Sequence, residues 1–258
     1  MRVEAYLERI GYDGSAFPTA ETLRALHRAH MMAVPFENLD IHLGVPIVLS
    51  VPGFYEKIVV RRRGGYCYEL NGLFAWLLAE LGFRVSLLSA RVVTSGIPSP
   101  EFDHLLILVE LDDRWIADVG FGDSSLVPLL AEPGGVEETD GYAITEDEVG
   151  WTMFRRGEPE YVFSMTPRRL SEFEPRNLFQ QTSPQSHFTQ KSVCSLATPT
   201  GRITLSGRRL IVTSGERREE REVKSAAEYG RILIDEFGFE LGREEIDRLM
   251  LKAASERE

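Results

Sequence analysis

The sequence predicts an α+β protein laid out in three stretches: helices to about residue 85, strands over residues 86–195, and a mixed hairpin-and-helix part over 196–258. Three observations carry this. Before residue 85 the apolar residues recur at steps of three and four. After residue 86 they gather in short runs separated by turn formers. Beyond Cys194 both patterns return, one after the other.

Val3, Tyr6, Leu7 and Ile10 form the first, short apolar face. Leu23, Leu26, His27, His30, Met31 and Val34 repeat at helical spacing behind a Pro18-Thr19 start, and a short element follows around Phe54 and Ile58. Leu70, Leu73, Phe74, Leu77, Leu78 and Leu81 then line one face of a long helix that Gly82 stops. The runs VSLLSARVV, HLLILVEL and RWIADVGF read as strands, continued by Trp151 and by Tyr161-Val162-Phe163. Glu132 to Gly150, acidic and glycine-bearing, reads as an exposed loop or hairpin. RITLSGRRLIVT is a hairpin about Ser206-Gly207, and GERREEREVK is a solvated turn or strand edge. Helices follow from about Ser225 to Phe237 and near Glu244 to Ala253.

With 258 residues, 43% of them hydrophobic and 27% charged, the chain has the composition of an ordinary globular protein with ample core. A net charge of −11 argues against a nucleic acid or an anionic membrane as the main partner. No apolar run approaches ~18 residues, and the first residues lack a signal peptide's apolar core. Two cysteines far apart make no disulfide framework, so a cytoplasmic location is expected.

One of them, Cys67, stands where the long helix begins, just after Gly64-Gly65. Free N–H groups and the positive end of the helix dipole favour a thiolate there, and the glycines let other groups come close to the sulfur. The alternative is a small buried hydrophobe, which is the reading given to Cys194. A nucleophile needs a base and a group to orient it. His27 and His30 lie on an apolar stripe and read as packing residues, with no cluster of further metal ligands nearby; His42 and His187 read as structural. His104 opens an apolar strand, a costly place without a partner, and Asp118 sits inside the next apolar run. If residues 111–113 form a three-residue hairpin loop, His104 lies opposite Gly120 and Asp118 is its diagonal neighbour on the same face. A two-residue turn would separate them, and an isolated structural His–Asp pair is also consistent with the spacing.

The segments VPFENLDIHLG, RRRGGYCYELNGLF, the histidine heading HLLILV, and DVGFG, followed by SEFEPRNLFQQTSPQSHF, ATPTGRITLSGRRL and FGFEL, stand in an order that resembles the arylamine N-acetyltransferases over nearly the whole chain. The resemblance implies a catalytic triad of Cys67, His104 and Asp118 on a papain- or transglutaminase-like core. It implies three parts: an N-terminal helical bundle (1–85) carrying the cysteine, a central β-barrel (86–195) carrying the histidine and aspartate, and a C-terminal α/β lid (196–258). It further implies acetyl-CoA as donor co-substrate, an aromatic amine, hydrazine or hydroxylamine as acceptor, a thioester intermediate with ping-pong kinetics, and no metal. Phe36, Gly120, Phe121 and Gly122 match positions lining the acceptor and thioester region, and Arg202, Arg208 and Arg209 are candidates for the CoA phosphates. Glu37, Asn38 and Arg63 are expected to brace the cysteine turn. Asp123 is acidic where some relatives carry a basic residue. An amide synthase or cysteine hydrolase with the same triad, and a silent binding protein, are the competing readings.

Overall fold

The computed structural model describes residues 1–132, 135–137, 141–147 and 150–255. Helix α1 (Val3–Arg9) buries Tyr6, and α2 (Ala20–Ala33) begins under a Thr19 cap whose side chain accepts the Thr22 N–H. A two-residue strand β1 (Phe36–Glu37) and a short helix α3 (Leu39–Leu43) follow. Next, α4 (Val51–Tyr55) widens into a π-helical turn over Glu56–Val60, which carries Lys57 inward beside Ile58. Helix α5 (Cys67–Glu80) is buried almost all round. Its leucines and Phe74 pack with Leu23 and Leu26 of α2 and with Tyr6 in the first core.

The strands are β2 (Arg84–Thr94), β3 (Ile97–Pro98), β4 (His104–Glu110), β5 (Arg114–Ala117), β6 (Leu129–Leu130), β7 (Gly135–Glu137), β8 (Tyr142–Asp147), β9 (Gly150–Arg155) and β10 (Glu158–Phe163). They order as β6-β5-β4-β2-β10-β9-β8-β7, with β3 paired to β2, and β6 lies against β7 and β8 so that the sheet nearly closes into a barrel. Strand β4 explains its own sequence. Ile107 and Val109 face the helices of the first core, while Leu106 and Leu108 face a second core inside the sheet with Leu88, Ile144, Trp151 and Phe163. With both faces covered, the strand is apolar at every position rather than at alternate ones. Glu110 pairs with Arg114, so the β4–β5 loop has the three residues 111–113.

Helical structure interrupts the stretch expected to be strand. A 3-10 turn at Leu170–Phe173 leads into α6 (Glu174–Thr182), and α7 (His187–Gln190) follows. Few apolar residues mark either period there, although Glu174-Pro175 in the first turn is a helix-start signal. The last sheet comprises β11 (Val193–Thr198), β12 (Gly201–Ser206), β13 (Arg209–Ser214) and β14 (Arg217–Glu222), in the order β1-β11-β12-β13-β14. Strand β14 is exposed at every residue, a charged edge. Helices α8 (Ala226–Phe237) and α9 (Arg243–Ser255) cover this sheet together with α3, burying Cys194, Leu205, Tyr229 and Leu233. Of the expected 132–150 loop, β7 and β8 form a hairpin, and residues 133–134, 138–140 and 148–149 lie outside the described residues. Among the described residues no helix is long and apolar enough to cross a membrane.

Candidate active site

Cys67 is the first residue of α5 and is 3% exposed. The turn in front of it is held by the close approaches its glycines permit. A Cβ on Gly64 would stand 2.0 Å from the Pro35 carbonyl oxygen, and one on Gly65 would stand 2.8 Å from the Glu69 side chain. The glycines thus admit the protein's own groups to the turn, rather than ligands to the sulfur.

Beneath the turn lies a buried ionic cluster. Arg63 donates to Glu37 at 2.7 Å and to Asp40 at 3.0 Å, while Lys57 contacts Asp40 and Glu69 at 2.9 Å each. Glu69 also accepts the Tyr66 N–H at 3.1 Å, capping the helix just before the cysteine. Three carboxylates face two cations. Burial together with Glu37 and Asp40 pushes Glu69 up to about 7, against the pull of Lys57. Asn38 belongs to a different brace: it donates to the Phe188 and Lys191 carbonyls and accepts the Val193 N–H, holding the 188–193 segment.

His104, the first residue of β4, and Asp118, one residue past β5, meet at 2.9 Å between Nε2 and Oδ2. The three-residue loop supplies the register that this pairing requires. Asp118 is satisfied on every side. Its Oδ1 accepts from Asn71 Nδ2 at 2.9 Å and from the Gly120 N–H at 3.0 Å, and its Oδ2 also accepts from Tyr161 Oη at 3.3 Å. Burial alone would raise this carboxyl; His104 and the hydrogen bonds from Asn71 and Gly120 outweigh it and hold the group below its usual range. With Nε2 committed to Asp118, Nδ1 is the ring nitrogen left for a reacting proton. The imidazole is walled by Phe121 and Tyr161, with ring centroids at 5.2 and 5.5 Å.

Cys67, His104, Gly120, Phe121 and Phe36 line one cavity of about 580 Å³, together with Phe188, Phe179, Val92, Asp103 and Arg176. Arg176 is not free in it, being paired with Asp103 at 2.6 Å. Burial, with Asp103 and Asp118 nearby, pushes the Cys67 thiol well up, opposed by the amides of Leu105 and Tyr68. The helix end alone therefore does not outweigh burial and the neighbouring carboxylates at this thiol.

A second cavity of about 740 Å³ lies on the other side of Phe36, which lines both. Gly122 belongs to its wall. It has φ +93°, and a Cβ there would stand 3.3 Å from the Phe36 ring. Arg155, Arg156, Arg202 and Arg218 line this cavity. Asp123 sits between Arg155 at 2.8 Å and Arg202 at 3.1 Å, and Arg202 also donates to Ser195 Oγ. Arg208 and Arg209 lie at the other end of the β12–β13 hairpin beside a separate hollow, near Glu222 and Glu220 respectively.

Sequence reasoning missed several groups at this site. Asn71, four residues after Cys67, shares its helix face, a signal that was available. Tyr161 comes from a distant strand and carried no local signal. His187, read as structural, lines the cysteine cavity. His27 is buried as expected, but it hydrogen-bonds the Asp118 backbone N–H at 3.2 Å.

Comparison with known proteins agrees with this architecture. A family model described as N-acetyltransferase matches residues 19–246. The arylamine N-acetyltransferase of Mycolicibacterium smegmatis is 39% identical over 94% of this chain and 93% of its own. That of Escherichia coli strain K12 is 35% identical over 90% and 87%. Among solved structures, the Salmonella typhimurium arylamine N-acetyltransferase superposes with a TM-score of 0.91 at 31% identity, covering 96% of this chain and 97% of that one. A Mycobacterium marinum arylamine N-acetyltransferase in complex with CoA gives 0.89 at 34% identity, over 98% and 99%. The chain belongs to the arylamine N-acetyltransferase family and is an acetyltransferase.

Proposed function

We propose that the protein moves an acetyl group from acetyl-CoA to an aromatic amine, hydrazine or hydroxylamine through a thioester on Cys67, by ping-pong kinetics. The observation that carries this reading is the His104–Asp118 pair, 2.9 Å apart, in one cavity with a cysteine at a helix N-terminus.

His104 Nδ1 takes the thiol proton as Cys67 Sγ attacks the acetyl carbonyl, and Asp118 supports the imidazolium that forms. The Cys67 amide, at the helix start, donates to the developing oxyanion. The C–S bond to CoA breaks, the CoA sulfur takes the proton from His104, and acetyl-Cys67 remains. The amine nitrogen then attacks the thioester, gives its proton to His104, and Cys67 recovers its own. A weakly basic aromatic amine needs an activated acyl group, and a thioester is one. Phe36, Phe121 and Phe188 give that acceptor flat apolar walls, with Gly120 keeping the backbone close, while Gly122 lies in the second cavity behind Phe36.

We assign the CoA phosphates to the second cavity, with Arg202 as the chief contact. The chain carries −11 overall, yet among the described residues that line this cavity four are arginines and one, Asp123, is a carboxylate, with Arg218 also paired to Glu220 at its edge. Arg208 and Arg209, beside their own hollow, are not required by this assignment. Strands β11 to β13 contribute wall residues to the cavity, which suits a lid role for residues 196–258. The parts 1–85 and 86–195 then serve as the cysteine-bearing bundle and the His–Asp-bearing barrel. Two free thiols fit a reducing, cytoplasmic setting.

The test is intact mass after mixing with acetyl-CoA and no amine, beside Cys67→Ala. The expected result is a gain of one acetyl group, absent from Cys67→Ala and discharged by an added arylamine. No gain in a protein whose Cys67 still alkylates rejects acetyl-CoA as donor. Acetate release without amine indicates a hydrolase.

A further inference from the structure

The ladder between β4 and β5 ends at the Ile107–Ala117 pair. The next three amides, of Asp118, Val119 and Gly120, are buried and are met by side chains instead of a strand. Gly120 N–H donates to the Oδ1 of Asp118 at 3.0 Å, and Val119 N–H to Asn71 Oδ1 at 2.9 Å. Asp118 N–H donates to Nε2 of His27, on α2, at 3.2 Å. The other nitrogen of the same ring, Nδ1, lies 3.1 Å from the Leu126 carbonyl oxygen. Nε2 must accept and Nδ1 must donate, so both bonds demand one species, the neutral Nδ1–H tautomer. Burial pushes this ring down to about 4, which keeps it neutral at ordinary pH.

Asp118 N and Leu126 O are the two ends of the loop that carries Phe121, Gly122 and Asp123. His27 therefore spans the loop at its base. Its ring packs edge-on against Phe74 of α5, the helix that Cys67 begins, at 6.1 Å between centroids. We propose that His27 is a positioning residue: a neutral imidazole clip that closes the 118–126 loop and sets where the Asp118 carboxylate stands against His104. This rests on the Cys67–His104–Asp118 reading above.

Two substitutions separate the bonds. In His27→Asn the amide reaches only the Nδ1 position, keeping the Leu126 bond and leaving Asp118 N–H without its acceptor. In His27→Gln the amide oxygen reaches the Nε2 position and restores that acceptor. Two readouts are used: kcat and KM for acetyl transfer, and the pH profile of Cys67 alkylation by iodoacetamide, followed as the mass of the Cys67 peptide. A displacement of about 1 Å costs about 100-fold in rate. His27→Asn is expected to lose about that in kcat with KM nearly unchanged and to shift the alkylation profile. His27→Gln is expected to recover to within about tenfold of the native rate. A folded His27→Asn with native kcat and alkylation profile overturns the proposal. So does equal impairment of the two variants, or failure of both to fold, which assigns His27 to the core alone. Alkylation needs no acetyl-CoA, so a native protein that alkylates but does not acetylate refutes the donor and leaves the His27 effect measurable.

Discussion

Replacing Asp118 with Asn changes one atom and tests the triad directly. The Oδ1 position receives two donors, Asn71 Nδ2 and Gly120 N–H, so the carbonyl oxygen of the new amide must stay there. Its NH2 group is then forced toward His104 Nε2 and Tyr161 Oη, where the carboxylate accepted. Nε2 can meet an NH2 only as an acceptor, which moves the ring proton to Nδ1 and removes the base that the proposed mechanism gives Cys67. Charge acts in the same direction. A carboxylate 2.9 Å from an imidazolium contributes about 6 kcal/mol at an effective dielectric of about 20. At ~1.4 kcal/mol per decade that is an upper bound near four decades. The corresponding change in a Ser-His-Asp protease costs about 10⁴ in kcat. We therefore expect a loss of about 10³–10⁴ in the single-turnover rate of Cys67 acetylation, read by quenched-flow mass spectrometry, in a protein that remains folded. Retention of more than about a tenth of the native rate would refute the tautomer argument.

Gly120→Ala should act through space rather than charge. A Cβ there would stand 2.7 Å from Asn71 Nδ2 and 2.8 Å from the Cys67 Cα, so we expect kcat to fall at least about 100-fold, with circular dichroism showing retained secondary structure. Arg202→Ala should raise KM for acetyl-CoA about tenfold while leaving turnover of p-nitrophenyl acetate, a donor without phosphates, within a few-fold of native; equal effects on both would remove Arg202 from the phosphate assignment. Acid stability should reflect two opposed groups. His27, about 4 when folded and about 6.5 unfolded, contributes about 3 kcal/mol that is present above pH 6.5 and lost as pH falls toward 4. Glu69, about 7 folded and about 4.5 unfolded, runs the other way, and stability gained from it is lost as pH rises from 4.5 to 7. His30, which burial also pushes well down, leaves a net loss toward acid. Glu69→Gln should steepen that loss by about 3 kcal/mol in denaturant melts at pH 7 and 4.5, and an unchanged slope would show that Glu69 does not titrate in that range.

Much of the site was legible in the sequence because it rests on local rules. The helical period placed Cys67 at an N-terminus. A histidine opening one apolar strand and an aspartate inside the next apolar run each asked for a partner, and the hairpin loop length decided whether His104 and Asp118 could meet. The Glu37–Arg63 pair was also foreseen, but Lys57, Asp40 and Glu69 were not. Lys57 looks like an ordinary exposed lysine in a helical pattern, but it lies in the π-helical turn and is buried there. The α6–α7 segment escaped because its apolar residues are too few to show a period. Tyr161 and His27 reach Asp118 from 43 and 91 residues away, and no spacing rule connects elements so distant. His27 read correctly as a core residue; its role at the loop base needed the coordinates.

The two-residue strand β1 has a consequence for how the protein is made. Phe36 and Glu37 pair with Ser195 and Cys194, joining the cysteine turn to a strand from much later in the chain. During synthesis, the segment that holds Arg63 from below and separates the two cavities must wait for β11 to leave the ribosome. Such long-range closure is slow and leaves partly assembled surface exposed meanwhile. The thiol is thus made early and its surroundings are completed late. A nascent chain stalled before β11 should carry a Cys67 that alkylates like that of an unfolded peptide, without the pH profile of the finished protein.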